Sequence, residues 1–132
     1  MSTKGTVSDS APPGIAVQQR EVDERTVVLA IVGELDLATA PALKFKLLDA
    51  LGAGYSRLVL DLSRVSFMDS TAIGVLVGVK RHFSGGEQLV LASLQPDVMK
   101  IFEVTGLDGS FQIASNVEAA LSDDGGEGPV AA

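Results

Sequence analysis

Residues 69–71 read Asp-Ser-Thr, one carboxylate followed by two hydroxyls, at the head of the apolar run 72–79. A serine near an acid suggests acyl transfer, which needs a base within hydrogen-bond reach of the hydroxyl. The chain has one histidine, His82, twelve residues beyond Ser70. On a helix that is about 18 Å away, too far to serve Ser70 within one molecule. The Gly-x-Ser-x-Gly elbow of hydrolases is also missing. A second chemistry is phosphoryl capture on an aspartate. Asp36, Asp61 and Asp69 could stand at neighbouring strand ends and share Mg²⁺. No adjacent acid pair follows the first strand, however, and an opening hairpin is wrong for a receiver domain. P-loop, dinucleotide-binding and zinc motifs are absent. The chain is therefore read as a non-enzyme, with no metal, cofactor or small-molecule substrate.

What the Asp-Ser-Thr step does do is start a helix. Asp69 suits the N-cap, where its carboxylate accepts from the N–H groups of Thr71 or Ala72. Met68 at N′ and Ile73 at N4 are spaced as a hydrophobic staple. Ser70 then falls at N1 and is not needed for capping. Gly74 and Gly78 interrupt the helix that follows, and each costs roughly 1 kcal/mol in a helix interior. Tight packing of helix on sheet is the expected compensation. The alternative is that the part of the helix near Ser70 is a docking surface. His82 reads as a surface residue near the helix C-terminus, where positive charge is favoured.

The elements that must position this step follow from periodicity and punctuation. Residues 15–19 and 26–33 are rich in β-branched residues, and 21–25 forms a hairpin-like connection. Residues 38–54 read as a helix with Thr39 as cap, Pro41 in the first turn, and Gly52 and Gly54 as stop. The short apolar runs 57–62 and 88–93 look like strands buried on both faces. The Ser70 helix runs on to the stop at Ser84-Gly85-Gly86. Residues 95–106 form a helix with Pro96 first and Gly106 last, and 110–115 a short edge strand. The final helix, 115–121, opens on a capping box of Ser115 and Glu118. The order β-β-α-β-α-β-α-β-α predicts an α/β fold, a mixed and mostly parallel sheet of about five strands with about four helices packed on it.

Composition narrows the function. The 132 residues suit one domain, with tails at 1–13 and 122–132 expected to be disordered around a body at 14–121. The absence of cysteine excludes disulfides and thiolate metal sites. A net charge of −7 argues against nucleic acid. The C-terminal tail contributes −3 of it through Asp123, Asp124 and Glu127, so the body is mildly acidic. No apolar run approaches the ~20 residues of a membrane span, and the N-terminus has no signal-peptide core. A soluble, cytoplasmic protein is expected.

Two segments carry a resemblance. IVGELDLATAP (31–41) and RLVLDLSRVSFMDSTAIGVLVG (57–78) are similar to the STAS domains that act as anti-sigma-factor antagonists in bacteria. GLDGSFQIASNVEAAL (106–121) resembles the family's last strand and helix, so the likeness spans roughly residues 15–121. The resemblance implies that Ser70, the first serine after the Asp, accepts a phosphate from the anti-sigma-factor serine kinase that the protein binds. Thr71 is the fallback acceptor. The unphosphorylated form would capture that ATP-dependent kinase and free a sigma factor. Phosphorylation would switch capture off, and a serine phosphatase would restore it. Glu34, Asp36, Met68, Asp69, Ser70, Thr71 and Ile73 would form the partner-binding surface. By spacing alone, Glu34 and Asp36 are acids of a strand-to-helix loop. Many relatives carry Gly where this chain has Ala72, which adds a methyl beside the acceptor. The same fold also serves as a soluble partner of transporters or as a stress-signalling scaffold, and this is the alternative reading.

Overall fold

The computed structural model describes residues 15–122. The segments read as tails lie outside the described residues, apart from Ser122, which is the last residue of the final helix. The strands are β1 (Ile15–Glu21), β2 (Thr26–Leu35), β3 (Arg57–Met68), β4 (Gln88–Ala92) and β5 (Gln112–Ala114). The helices are α1 (Ala40–Gly52), α2 (Ser70–Lys80), α3 (Pro96–Thr105) and α4 (Val117–Ser122). A 3₁₀ turn at Leu107–Gly109, not foreseen from the sequence, links α3 to β5.

The five strands form one sheet in chain order. β1 and β2 are an antiparallel hairpin, and every later neighbour is parallel. In the hairpin turn, Asp23 Oδ1 accepts from the N–H groups of Arg25 and Thr26, both at 2.8 Å. These bonds hold the Asp23 carboxyl below its ordinary range.

Parallel strands joined in sequential order by crossovers of one hand must keep their helices on one face. Accordingly, α1, α2 and α3 bury Leu43, Leu47, Leu76, Val98 and Phe102 in one aliphatic cluster. Alternate strand residues Val27, Leu29, Leu58, Leu60, Leu89 and Leu91 face that cluster. Val28, Val59, Val90 and Ala92 point to the other face, where α4 covers them with Ala120. The central strands are thus buried on both faces, as their continuous apolar runs predicted.

β3 is twice as long as the run 57–62 suggested, reaching Met68. Its register against β2 slips twice, between Ala30 and Val32 and again between Gly33 and Glu34. Each slip places one extra residue in β3. The buried positions of its second half are therefore Leu62, Val65 and Met68, three apart instead of two. Bulges hid this half of the strand from any reading based on alternation. Asp61 Oδ1 supports the first bulge by accepting from Ser63 N–H at 3.0 Å. Gln95, at the head of α3, donates its amide to the Ser63 carbonyl at 2.9 Å.

Three caps differ from expectation. Thr39 makes no side-chain cap bond to α1. The final helix is capped by Asn116, whose Oδ1 accepts from Ala119 N–H at 2.7 Å, and not by Ser115. α2 stops at Lys80, with Arg81 as its cap, before reaching the glycines at 85 and 86. α3 ends as predicted, with Gly106 in the left-handed region at φ 77°.

Candidate functional site

α2 starts where β3 ends, with Asp69 as the hinge. Asp69 Oδ1 accepts from Thr71 N–H at 2.9 Å and from Ala72 N–H at 3.1 Å. This cap meets the backbone needs of the first turn, as the sequence indicated. Ser70 and Thr71 stand exposed at the helix start, and neither hydroxyl has a hydrogen-bond partner among the described residues. Met68 and Ile73 are buried in the core. This corrects their assignment to a partner-binding surface, because they support the site from beneath and present nothing to a partner.

The loop after β2 is tied to this helix start. The Asp69 N–H donates to the Leu35 carbonyl at 3.0 Å. Glu34 lies opposite Phe67 in the parallel register, and Leu35 opposite Met68. Glu34 is exposed, and its carboxylate has no partner among the described residues.

Asp36 has structural work of its own. Its Oδ1 accepts from Ala38 N–H at 3.0 Å and from Thr39 N–H at 3.1 Å, and lies 3.2 Å from the Thr39 hydroxyl oxygen. Thr39 is buried, and its hydroxyl accepts from Asp36 N–H at 2.9 Å and donates to the Glu34 carbonyl at 2.7 Å. Thr39 therefore closes the 34–39 loop where a helix cap was expected. The Gly33 φ of 131°, which side chains rarely adopt, turns the chain into this loop.

The outward face of α2 carries Ser70, Gly74, Val77, Gly78 and Arg81, which share one side at helical spacing. Among the described residues, a methyl added at Gly74 or Gly78 would meet no neighbouring element within 4 Å. Tight helix-on-sheet packing, the expected reason for these glycines, is thereby overturned. They lie on the side of α2 that faces away from the sheet, which leaves that side bare.

Two exposed apolar residues near the loop and strand end were not singled out from the sequence. Leu37 is 72% exposed in the acidic loop, and Phe67 is 46% exposed beside Glu34. The available signal was an apolar residue between polar neighbours at a loop or strand end.

The competing chemistries find no support in this geometry. His82 is exposed at the far end of α2, with Nδ1 3.1 Å from the Gly78 carbonyl. Asp61 lies inside β3, seven residues before its end, and not at a strand terminus beside Asp69. No group of three or more His, Cys, Asp or Glu side chains among the described residues is placed to hold a metal. No helix among them is long and apolar enough to cross a membrane.

The STAS domain family matches residues 17–120. The anti-sigma-B factor antagonist of Listeria monocytogenes is 34% identical, over 82% of this chain and 95% of its own. An anti-sigma factor antagonist from Mycobacterium paratuberculosis superposes with a TM-score of 0.77 at 27% identity, covering 86% of this chain and 97% of that one. SpoIIAA of Bacillus is known in two forms. The unphosphorylated form gives a TM-score of 0.70 at 28% identity, covering 82% of this chain and 95% of that one. The phosphorylated form gives 0.63 at 27%, covering 82% and 98%. A five-stranded mixed sheet with four helices and this similarity along nearly the whole described length place the chain in the STAS domain family, among the anti-sigma-factor antagonists, which are regulatory binding proteins and not enzymes.

Proposed function

We propose that this chain is a partner switch whose state is written on Ser70. With Ser70 unmodified, the α2 start and the 34–39 loop capture an anti-sigma-factor serine kinase and release its sigma factor. Phosphorylation of Ser70 by that ATP-dependent kinase ends capture, and a serine phosphatase restores it.

The observation that carries this reading is the exposed, unbonded Ser70 hydroxyl at N1 of a helix already capped by Asp69. A phosphate there brings about −1.5 to −2 charges. The helix N-terminus favours a negative charge, so the fold need not rearrange to accept it. A docked partner, by contrast, would meet that charge beside Asp69 and Glu34 and would have to desolvate it. That SpoIIAA is known in both forms, each matching this fold, supports a switch by local charge. The bare face at Gly74 and Gly78 supports close approach of a partner backbone. Thr71 is the secondary acceptor. Its N–H is held by Asp69, and the residue is also exposed.

The test is a pull-down with wild type, Ser70→Ala and Ser70→Asp, with mass spectrometry of bound partners and of the phosphosite. Ser70→Ala is expected to retain an ATP-dependent kinase constitutively, and Ser70→Asp to lose it. Equal capture by both variants would sink the proposal.

A further inference from the structure

The bare stripe of α2 does not end on a flat surface. Beyond Gly78 it opens into a groove of about 260 Å³ lined by Val77, Lys80, Arg81, Leu107, Ser110 and Phe111. Its walls are largely apolar and belong to separate elements, the C-terminal end of α2 on one side and the 3₁₀ turn with the residues leading into β5 on the other. Lys80 fastens the two walls, since its Nζ donates to the Ser110 carbonyl and lies 4.8 Å from the centre of the Phe111 ring. Phe111 is held in turn by an edge-to-face contact with Phe102, at 5.7 Å and 87°. The groove is therefore preformed. Arg81 stands exposed at its lip, and its guanidinium has no partner among the described residues.

The groove falls below the ~300–1,000 Å³ of most small-molecule sites, which suits one large side chain better than a metabolite. It also lies on the same helix face as Ser70. Ser70 to Arg81 is eleven residues, about 16 Å along the axis. The two ends of that face are opposite in sign. Asp69 precedes Ser70 and is bonded to the Leu35 carbonyl, between Glu34 and Asp36, while Lys80 and Arg81 flank the groove.

We infer that the groove is a second anchor for the anti-sigma factor, receiving one aliphatic or aromatic side chain of that partner with a carboxylate next to it. This rests on the functional reading above and deepens it. The face is continuous with the Ser70 docking surface, and its bipolar charge admits a partner in one orientation only, basic over Glu34 and acidic over Arg81. An apolar side chain seated in a preformed pocket at the end of a bare helix face has the character of an interface hot spot.

The test uses the full chain and the purified anti-sigma factor captured by Ser70→Ala, with affinities measured at low and high salt. Arg81→Glu is expected to weaken binding about tenfold at low salt and far less at high salt, because the lost attraction is screened. Ser110→Trp, which plugs the groove from an exposed position, is expected to weaken binding by about tenfold at both. Thermal unfolding checks that both variants remain folded. Wild-type affinity in both variants, with Ser70→Asp still defective, overturns the groove and leaves the serine switch standing. Loss in both, with Ser70→Asp unaffected, supports the groove and overturns the switch. Wild-type affinity in all three overturns both.

Discussion

The Asp69 N–H and the Leu35 carbonyl share a 3.0 Å hydrogen bond. Through it, the residue that caps α2 is fastened to the strand end that launches the Glu34–Thr39 loop. The bond ties together two segments more than thirty residues apart in sequence, with Ser70 following its donor and Glu34 preceding its acceptor.

Asp69 has two separable roles, a cap and a charge. Asp69→Ala should lower stability by about 1 kcal/mol, read as a fall in the urea midpoint, because Thr71 and Ala72 lose their acceptor. Asp69→Asn keeps the acceptor and should cost only a few tenths of a kcal/mol. If partner binding differs between wild type and Asp69→Asn, the cause is then the charge and not the helix.

The glycines on α2 provide a sign test. Gly74→Ala and Gly78→Ala meet no steric obstacle among the described residues, so each should stabilise the protein by about 0.5–1 kcal/mol. Both should weaken capture of the anti-sigma factor, because they roughen the face it approaches. Denaturation and binding measured on the same samples check this. A destabilised Gly74→Ala would contradict the open placement of that residue.

Thr39 is the buried tie of the acidic loop. Thr39→Val preserves shape but leaves the Asp36 N–H and the Glu34 carbonyl without their bonds. The expected cost is about 1–3 kcal/mol in chemical denaturation. Thr39→Ser, which keeps the hydroxyl, should fall well inside that loss.

Tyr55 is the only tyrosine, and the chain has no tryptophan, so an ultraviolet absorbance titration reports it alone. Its hydroxyl donates to Glu21 Oε1 at 2.5 Å, and this bond, with a smaller contribution from desolvation and from the Glu21 charge, raises its pKa above 10.0. A raised folded-state pKa means that the contact stabilises the fold below pH 10.0 and that this contribution is lost as pH climbs through the folded value. Glu21→Ala should return the titration midpoint toward 10.0. An unchanged midpoint would show that the bond does not form in solution.

Legibility differed from residue to residue. The Asp69 cap, the Gly106 stop and the apolar runs of β3 and β4 were readable because each is a local preference, satisfied within a few residues. The second half of β3 was not, because two bulges changed its buried spacing from two to three. The role of Thr39 was misread for a related reason. A threonine ahead of a helix is good cap material, and only the return of the chain at Gly33 and Asp36 offers its hydroxyl better partners.

By itself, the sequence determined the alternation of strands and helices, the start of α2, and the leftover hydroxyl at Ser70, since capping and periodicity are short-range physics written in residue type. The tertiary structure decided which residues share a surface. It buried Met68 and Ile73, turned Gly74 and Gly78 outward, engaged Asp36 Oδ1 inside its own loop, left Leu37 and Phe67 exposed, and set the Arg81 groove at the end of the helix face that carries Ser70. Those placements depend on strand register and on how α2 sits on the sheet, and both are settled by packing between segments far apart in the chain.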